Sequence, residues 1–174
     1  MVAVYKRYAD SGLNNFRQDV DVDFLKDLRL VQNNVLITGG CGVGKTYLAF
    51  AILNNFESKE DGFYSENYVK YTKFSDMIKT IHACWSGGDS YDRLELIAYK
   101  RKDILLIDEF YPKQIDTARE ELLNIFDERY NRCLPTVMFS NVGADELKKM
   151  LGLRIADRLL NGAKIVTIKG DSLR

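Results

Sequence analysis

The stretch Gly39-Gly40-Cys41-Gly42-Val43-Gly44-Lys45-Thr46 decides the fold, because it fits the phosphate-binding pattern G-x-x-x-x-G-K-[ST]. An apolar run at residues 35–38 precedes it and predicts a buried strand, and a helical pattern at residues 47–56 follows it. In that context the loop backbone and the helix N-terminus would present N–H groups to an anion. The alternative interpretation is an ordinary glycine-rich turn before a helix.

The last residues of this loop carry most of its expected chemistry. Lys45 would lie on the β- and γ-phosphates of a nucleotide, and the Thr46 hydroxyl would bind Mg²⁺. Lys45 is therefore counted with the catalytic residues as well. The predicted nucleotide-binding residues are Gly39, Gly40, Cys41, Gly42, Val43, Gly44, Lys45, Thr46 and Tyr47.

The composition is that of an ordinary globular chain, with 174 residues, 46% of them hydrophobic and 29% charged. Lys+Arg and Asp+Glu both count 25, so overall charge gives no argument for nucleic-acid binding. No run of about 18 apolar residues predicts a membrane span, and the start lacks the apolar core of a signal peptide. Cys41, Cys84 and Cys133 form no metal-ligand or disulfide pattern, which favours a reducing cytoplasm.

Apolar strands and helical patterns alternate along the rest of the chain. Strands are predicted at residues 35–38, 68–72, 104–107, 136–139 and 164–168, and helices at 75–83, 91–99, 117–132, 144–151 and 153–160. Residues 1–34 predict a packed arm at 6–16 and a short helix at 21–30. This alternation predicts an α/β fold with a parallel sheet covered on both sides, and we expect one domain over residues 1–174.

A second nucleotide motif, of the Walker B type, is expected where the apolar run 104–107 ends in Asp108-Glu109. On a strand next to the P-loop strand, Asp108 would hold Mg²⁺ directly or through water. Glu109 would polarise the water that attacks the γ-phosphate. Asn141 follows the next apolar strand, where its amide would hold that water or touch the γ-phosphate. The alternatives are an acidic strand end and a turn asparagine without a function.

The order of these motifs resembles the AAA+ family, together with two later segments, Leu151-Gly152-Leu153-Arg154-Ile155-Ala156-Asp157-Arg158-Leu159 and Gly170-Asp171-Ser172-Leu173-Arg174. Within that family the chain is most similar to the DnaC-like replicative helicase loaders and the IstB-like transposition helper ATPases. The resemblance implies a P-loop NTPase sandwich of three layers, with a five-stranded parallel sheet and no or minimal C-terminal lid. It also implies ATP and Mg²⁺ as cofactors.

The same resemblance implies roles for three further polar side chains. Asn141 would be the sensor 1 residue, and Arg174 would match the sensor 2 arginine of the same active site. Arg158 would be the arginine finger, which reaches the γ-phosphate bound by a neighbouring subunit. The alternative for Arg154 and Arg158, four residues apart, is a solvated helix face.

In AAA+ proteins of this kind the helices before the Walker B strand face the path of the DNA. In this chain that insert is residues 73–99, and we expect Lys73, Lys79 and Trp85 to contact single-stranded DNA. The alternative is that the tryptophan packs at the edge of the core and the lysines are solvated. About 34 residues precede the first strand, too few for the separate helicase-binding domain of full-length loaders.

These observations predict an ATPase that assembles as a homo-oligomer with ATP and single-stranded DNA and helps to load a replicative helicase. A transposition helper that guides a transposase onto duplex DNA is the first alternative. A nucleotide-binding adaptor with negligible hydrolysis is the second. A small-molecule kinase is less consistent with the sequence, because it shows no arginine-rich segment for binding an acceptor.

Overall fold

The computed structural model describes residues 8–17, 20–28, 33–57, 68–113 and 115–170. The strands are β1 Val35–Gly39, β2 Val69–Lys73, β3 Ile104–Asp108, β4 Thr136–Ser140 and β5 Lys164–Ile168. The α-helices are α1 Lys45–Glu57, α2 Phe74–Trp85, α3 Ser90–Arg101, α4 Arg119–Asn131, α5 Ala144–Leu151 and α6 Leu153–Leu160. Short 3₁₀ helices cover Leu13–Asn15, Asp23–Asp27 and Asp116–Ala118. Across the described residues, the helices are too short and too polar to cross a membrane.

The five strands form one parallel sheet in the order β2-β3-β4-β1-β5. This confirms the predicted α/β fold and the five-stranded parallel sheet. The expectation that the Walker B strand lies next to the P-loop strand is wrong, because β4 lies between β1 and β3. The apolar runs predict which strands are buried but not which strands are neighbours, since sheet order depends on how the helices cross over.

The central strands alternate their side chains between two buried layers, as the twofold period of a strand requires. In β3, Leu105 and Ile107 face a core built with α2, α4, α5 and α6. Ile104 and Leu106 face the other core, which contains α1 and the N-terminal segment. The sheet is therefore covered by helices on both faces, which gives the predicted three layers.

The N-terminal segment, in the part of residues 6–16 that the structure describes, packs on α1. The ring of Tyr8 stacks on Phe50 with centroids 4.9 Å apart. The Asn54 side chain donates to the backbone carbonyls of Tyr8, Ala9 and Ser11 at 3.1, 3.1 and 2.9 Å. These contacts fix the segment beside the carboxyl end of the sheet.

The predicted helix at residues 21–30 is shorter than expected, and it is a 3₁₀ helix at Asp23–Asp27. Its buried side chains Val22, Leu25 and Leu28 are spaced three apart. That spacing suits a helix of three residues per turn better than an α-helix. Residues 29–30 lie outside the described part of the chain.

A buried arginine on α4 ties the helical layer to the amino ends of two strands. Arg129 is 1% exposed and donates to the carbonyls of Tyr99, Lys102 and Pro135 at 3.1, 2.8 and 2.7 Å. Burial lowers the pKa of Arg129 to about 9, so the side chain remains charged near neutral pH. These bonds satisfy carbonyls at the C-terminus of α3, and they hold α3 and α4 against the sheet.

Candidate nucleotide-binding cleft

A cleft of about 540 Å³ opens at the carboxyl ends of β1, β3 and β4. Open parallel sheets bind their ligands at this edge. The structure brings many of the residues predicted from the two motifs together there. Those that line the cleft are Cys41, Gly42, Gly44, Lys45, Thr46, Tyr47, Asp108, Glu109 and Asn141.

The loop between β1 and α1 curls in the way that its glycines permit. Gly42 and Gly44 have φ angles of 84° and 101°, which residues with a Cβ rarely adopt. The ammonium of Lys45 donates to the carbonyls of Gly39 and Gly40 at 2.7 and 2.6 Å. Helix α1 begins at Lys45, so its partial positive charge lies at the base of the cleft. The loop is therefore shaped to receive an anion.

Asp108, at the end of β3, reaches the start of α1 even though β4 separates the two strands. The Thr46 hydroxyl donates to Asp108 Oδ2 at 2.9 Å, and the Tyr71 hydroxyl donates to the same oxygen at 3.1 Å. The backbone N–H of Glu109 donates to Oδ1 at 2.8 Å. Asp108 is 2% exposed, so three donors hold a carboxylate that is almost fully buried.

The oxygens of Thr46 and Asp108 are of the type that Mg²⁺ prefers. Among the described residues, no cluster of three or more His, Cys, Asp or Glu side chains could hold a metal ion without other ligands. A magnesium ion at this place would therefore take most of its ligands from phosphate oxygens and water, which is its usual manner of binding. The residues present fit that ion.

Glu109 stands at the mouth of the cleft in an uncommon backbone conformation. Its φ angle is 52°, in the left-handed region that costs a residue with a Cβ on the order of 1 kcal/mol or more. Its carboxylate pairs with Lys73 of β2 at 2.8 Å, and these side chains are 58% and 41% exposed. The hydrogen bond to Glu109 raises the pKa of Lys73. Lys73, predicted to contact DNA, pairs with a residue of the cleft and does not itself line the cleft.

Asn141 follows β4 and lines the same cleft from an exposed position. The turn that carries it is fixed by Ser140, which donates through its hydroxyl to the Phe110 carbonyl at 2.6 Å. The same hydroxyl oxygen accepts the N–H of Val142 at 3.2 Å. The asparagine therefore follows a turn that is held by hydrogen bonds, and it lines the same cleft as Glu109.

Sequence reasoning missed the residues that form the other side of the cleft. Tyr8, Asn15, Phe16 and Arg17 of the N-terminal segment line it together with Tyr47. The rings of Phe16 and Tyr47 stack with centroids 6.1 Å apart. The aromatic residues of the segment predicted a packed arm, and no motif marked the surface on which it would pack.

Arg158 lies on α6, away from the residues that line the cleft. Its guanidinium donates to Asp127 Oδ1 at 2.6 Å and to Asp157 Oδ2 at 2.8 Å. It also lies 4.7 Å from the ring centroid of Tyr130. The hydrogen bond to Asp127 raises the pKa of Arg158. A groove beside it contains Leu153, which is 91% exposed.

Lys79 and Trp85, both predicted to contact DNA, do not line the cleft. Arg174 lies outside the described residues. Lys79 pairs with Asp76 at 2.8 Å on the surface of α2. Trp85 is 52% exposed, with its ring 5.6 Å from that of His82. The DNA contacts of Lys79 and Trp85 stay predictions.

Comparison with known proteins gives a family match over nearly the whole chain. The model of the family described as IstB-like ATP binding protein matches residues 9–174. The replicative helicase loader DnaC of Escherichia coli is 26% identical over 141 residues, which are 80% of this chain and 55% of that protein. The chain thus spans about half the length of this relative.

A putative ATP-binding protein of insertion sequence IS1162 from Pseudomonas fluorescens is 28% identical over 99 residues, which are 56% of this chain and 39% of that protein. Among solved structures, the replication initiator DnaA bound to AMPPCP and single-stranded DNA superimposes with a TM-score of 0.74 at 21% identity. That match covers 92% of this chain and 50% of the other. It shows that the fold is the one found in P-loop AAA+ domains.

Proposed function

The chain belongs to the family of IstB-like ATP binding proteins, and from this premise we propose that it hydrolyses ATP as a replicative helicase loader. The activity would require assembly of several copies on single-stranded DNA. The observation that carries the proposal is the cleft, where Lys45, Thr46, Asp108, Glu109 and Asn141 face one volume. These side chains are the ones that binding and splitting a nucleoside triphosphate require.

ATP would bind with its phosphates on the loop and its base toward the N-terminal segment. The loop and the start of α1 supply N–H donors and positive potential, and Lys45 lies close enough to exchange loop carbonyls for phosphate oxygens. Phe16 and Tyr47 offer aromatic surface on the other side of the cleft, and Arg17 offers a cation. The loop suits the phosphates and the aromatic side suits the base, and this difference would set the direction in which the nucleotide binds.

Thr46 and Asp108 would hold Mg²⁺, which supplies charge neutralisation at the phosphates when it is bound. Their contact at 2.9 Å already fixes both oxygens relative to the loop. Glu109 would take a proton from the attacking water, and Asn141 would orient that water by a hydrogen bond. The hydrogen bond from Lys73 occupies one oxygen of the Glu109 carboxylate, and this positive charge would make the carboxylate a weaker base while the pair is in place.

The arginine that stabilises the transition state would come from a neighbouring copy. Arg158 lies outside the cleft of its own chain, so it can reach a nucleotide only across an interface. A positive charge at the γ-phosphate would stabilise the charge that develops there. Contacts of this head-to-tail kind produce rings or open helices of subunits.

Single-stranded DNA would contact the surface formed by α2 and α3. Trp85, Tyr91, Leu94 and Ile97 are all at least half exposed there, and Arg93 lies exposed among them. Aromatic side chains and a cation suit the bases and backbone of a single strand. The solved structure of DnaA with single-stranded DNA supports this choice of ligand.

A transposition helper that acts on duplex DNA is the second candidate, and the similarity to the IS1162 protein favours it. An adaptor that binds ATP with negligible hydrolysis is the third, favoured by the pairing of Glu109 with Lys73. The three candidates share the nucleotide site and differ in DNA preference, partner and turnover.

The proposal is tested by measuring ATP hydrolysis against protein concentration, alone, with single-stranded DNA and with duplex DNA. A rate per subunit that rises with concentration and with single-stranded DNA supports the loader, and capture of a replicative helicase identifies the partner. A preference for duplex DNA supports the transposition helper. ATP binding without turnover in every condition supports the adaptor and contradicts the proposed hydrolysis.

A further inference from the structure

We propose that Tyr71 is a positioning residue for the metal ion that accompanies the nucleotide, acting through the carboxylate of Asp108. The inference rests on the proposed binding of Mg²⁺ with ATP, and it concerns a residue outside both nucleotide motifs. Tyr71 lies on β2, the edge strand, and its hydroxyl donates to Asp108 Oδ2 at 3.1 Å. Strand β3 carries that aspartate directly beside β2.

The hydrogen bonds at Asp108 show what this hydroxyl contributes. An ionised carboxylate has about four acceptor positions. Among the described residues, three donors use them, the hydroxyls of Thr46 and Tyr71 at Oδ2 and the N–H of Glu109 at Oδ1. One position is left for the ion or for a water molecule on it. Tyr71 thus determines which part of the carboxylate faces the phosphates.

Packed aromatic rings hold the hydroxyl in place without help from Asp108. The Tyr71 ring contacts Phe50 of α1 with centroids 4.8 Å apart, and Phe50 stacks on Tyr8 at 4.9 Å with an interplanar angle of 2°. Phe50 is 2% exposed, so this support is part of the core. A donor fixed in this way restricts the carboxylate before any ligand arrives, and such preorganisation strengthens metal binding.

The competing interpretation is that Asp108 only accepts the hydrogen bond of Tyr71, because a half-buried phenol needs a hydrogen-bond partner. The two interpretations predict different results for Tyr71→Phe, which removes one oxygen and keeps the ring that packs on Phe50. If Tyr71 only satisfies its own hydroxyl, the variant loses stability and binds Mg²⁺ and nucleotide as before. If Tyr71 positions Asp108, the metal-dependent part of nucleotide binding weakens and the metal-independent part does not.

The experiment is a titration of a fluorescent ATP analogue in EDTA and at a series of Mg²⁺ concentrations. Tyr99→Phe is the matched control, because the Tyr99 hydroxyl also lies near two side chains, Thr72 and Thr80, each at 3.4 Å, outside the cleft. For Tyr71→Phe we expect about a tenfold rise in the Mg²⁺ concentration that gives half of the metal-dependent gain in affinity. Affinity in EDTA should equal that of the wild type for both variants.

The inference is overturned if the Mg²⁺ titration curve of Tyr71→Phe differs from that of the wild type by no more than the curve of Tyr99→Phe does. That result would leave the proposed binding of ATP intact. Equal weakening with and without Mg²⁺ would also overturn it, because it would show a general effect on the cleft. A wild-type affinity that does not respond to Mg²⁺ would overturn the metal part of the proposed function and this inference with it. Thermal unfolding followed by circular dichroism checks that each variant is folded.

Discussion

The nucleotide cleft and the surface of α6 hold their charged side chains in opposite ways. In the cleft, Lys45 and Asp108 lie on different elements and face a common volume of about 540 Å³. On α6, the charge of Arg158 is already matched by Asp127 and Asp157 of the same chain, at 2.6 and 2.8 Å. The charged groups of the cleft border a volume that can hold a ligand, whereas Arg158 is held in ion pairs within its own chain.

The residues proposed to bind ATP therefore differ in their surroundings from those proposed to hydrolyse it. The cleft contains what an ATP molecule needs for binding, whereas the charges that hydrolysis would use are held in ion pairs. Glu109 is bound by Lys73 at 2.8 Å, and Arg158 is bound by Asp127 at 2.6 Å. We therefore expect a subunit in isolation to bind ATP and to hydrolyse it slowly, until assembly exchanges these partners.

The largest effect is expected from a substitution that removes a phosphate-binding side chain from the cleft and leaves α6 unchanged. Lys45→Ala should weaken ATP binding by about 100-fold or more, since hydrogen bonds to charged groups contribute roughly 1.5–3 kcal/mol each. Lys149→Ala on the exposed surface of α5 is the control and should bind as wild type does. The measurement is calorimetric titration with ATP. Unchanged affinity of Lys45→Ala would remove the P-loop assignment and with it the contrast between the two regions.

A smaller effect is expected when the ion pair at the mouth of the cleft is removed. Lys73→Met should raise hydrolysis in the absence of DNA about threefold, because an exposed pair of this kind contributes about 0.2–1 kcal/mol. Stimulation by DNA should shrink in proportion, since Glu109 would then be free from the start. Steady-state phosphate release measures both rates, with Lys148→Met as the control. A fall in hydrolysis would show that Lys73 assists the reaction instead of restraining it.

The smallest effect is expected on α6. Asp127→Asn should lower the protein concentration that gives half-maximal hydrolysis by about twofold, because a partly exposed ion pair such as the one with Arg158 is weak. Asp145→Asn is the control, since Asp145 is 96% exposed and 3.9 Å from its lysine partner. Hydrolysis measured across a concentration series gives the midpoint. A higher midpoint for Asp127→Asn would mean that Asp127 orients Arg158 for its neighbour.

The sequence predicted the elements of the sheet well, because its central strands are continuous apolar runs that are buried on both faces. The run 104–107 corresponds to β3, and the run 136–139 corresponds to β4. The position of β4 between β1 and β3 was not predictable, since no local pattern encodes which strands pair. Asp108 nevertheless meets Thr46 at the start of α1, since the Thr46 hydroxyl donates to Asp108 Oδ2 at 2.9 Å.

The candidate site was predicted only where a motif marks it. Lys73 ends β2 directly beside Asp108 in the sheet register, so reasoning from strand ends would have placed it at the cleft. The contact of Tyr71 with Asp108 spans 37 residues and depends on the packing of the Tyr71 ring against α1. The pairing of Arg158 with Asp127 likewise joins two residues that are 31 positions apart, on α6 and α4. Such contacts follow from tertiary packing and leave no local signal.

The central claim is that the two regions form one active site when they come from two copies of the chain. The most direct test mixes Glu109→Gln protein, which keeps Arg158, with Arg158→Ala protein, which keeps Glu109, in the presence of ATP and single-stranded DNA. We predict that each variant alone hydrolyses ATP at a small fraction of the wild-type rate. An equal mixture should recover about a quarter of that rate, because random head-to-tail assembly restores about one interface in four. No recovery at concentrations where the wild type is active, or full activity of Arg158→Ala alone, would contradict the claim.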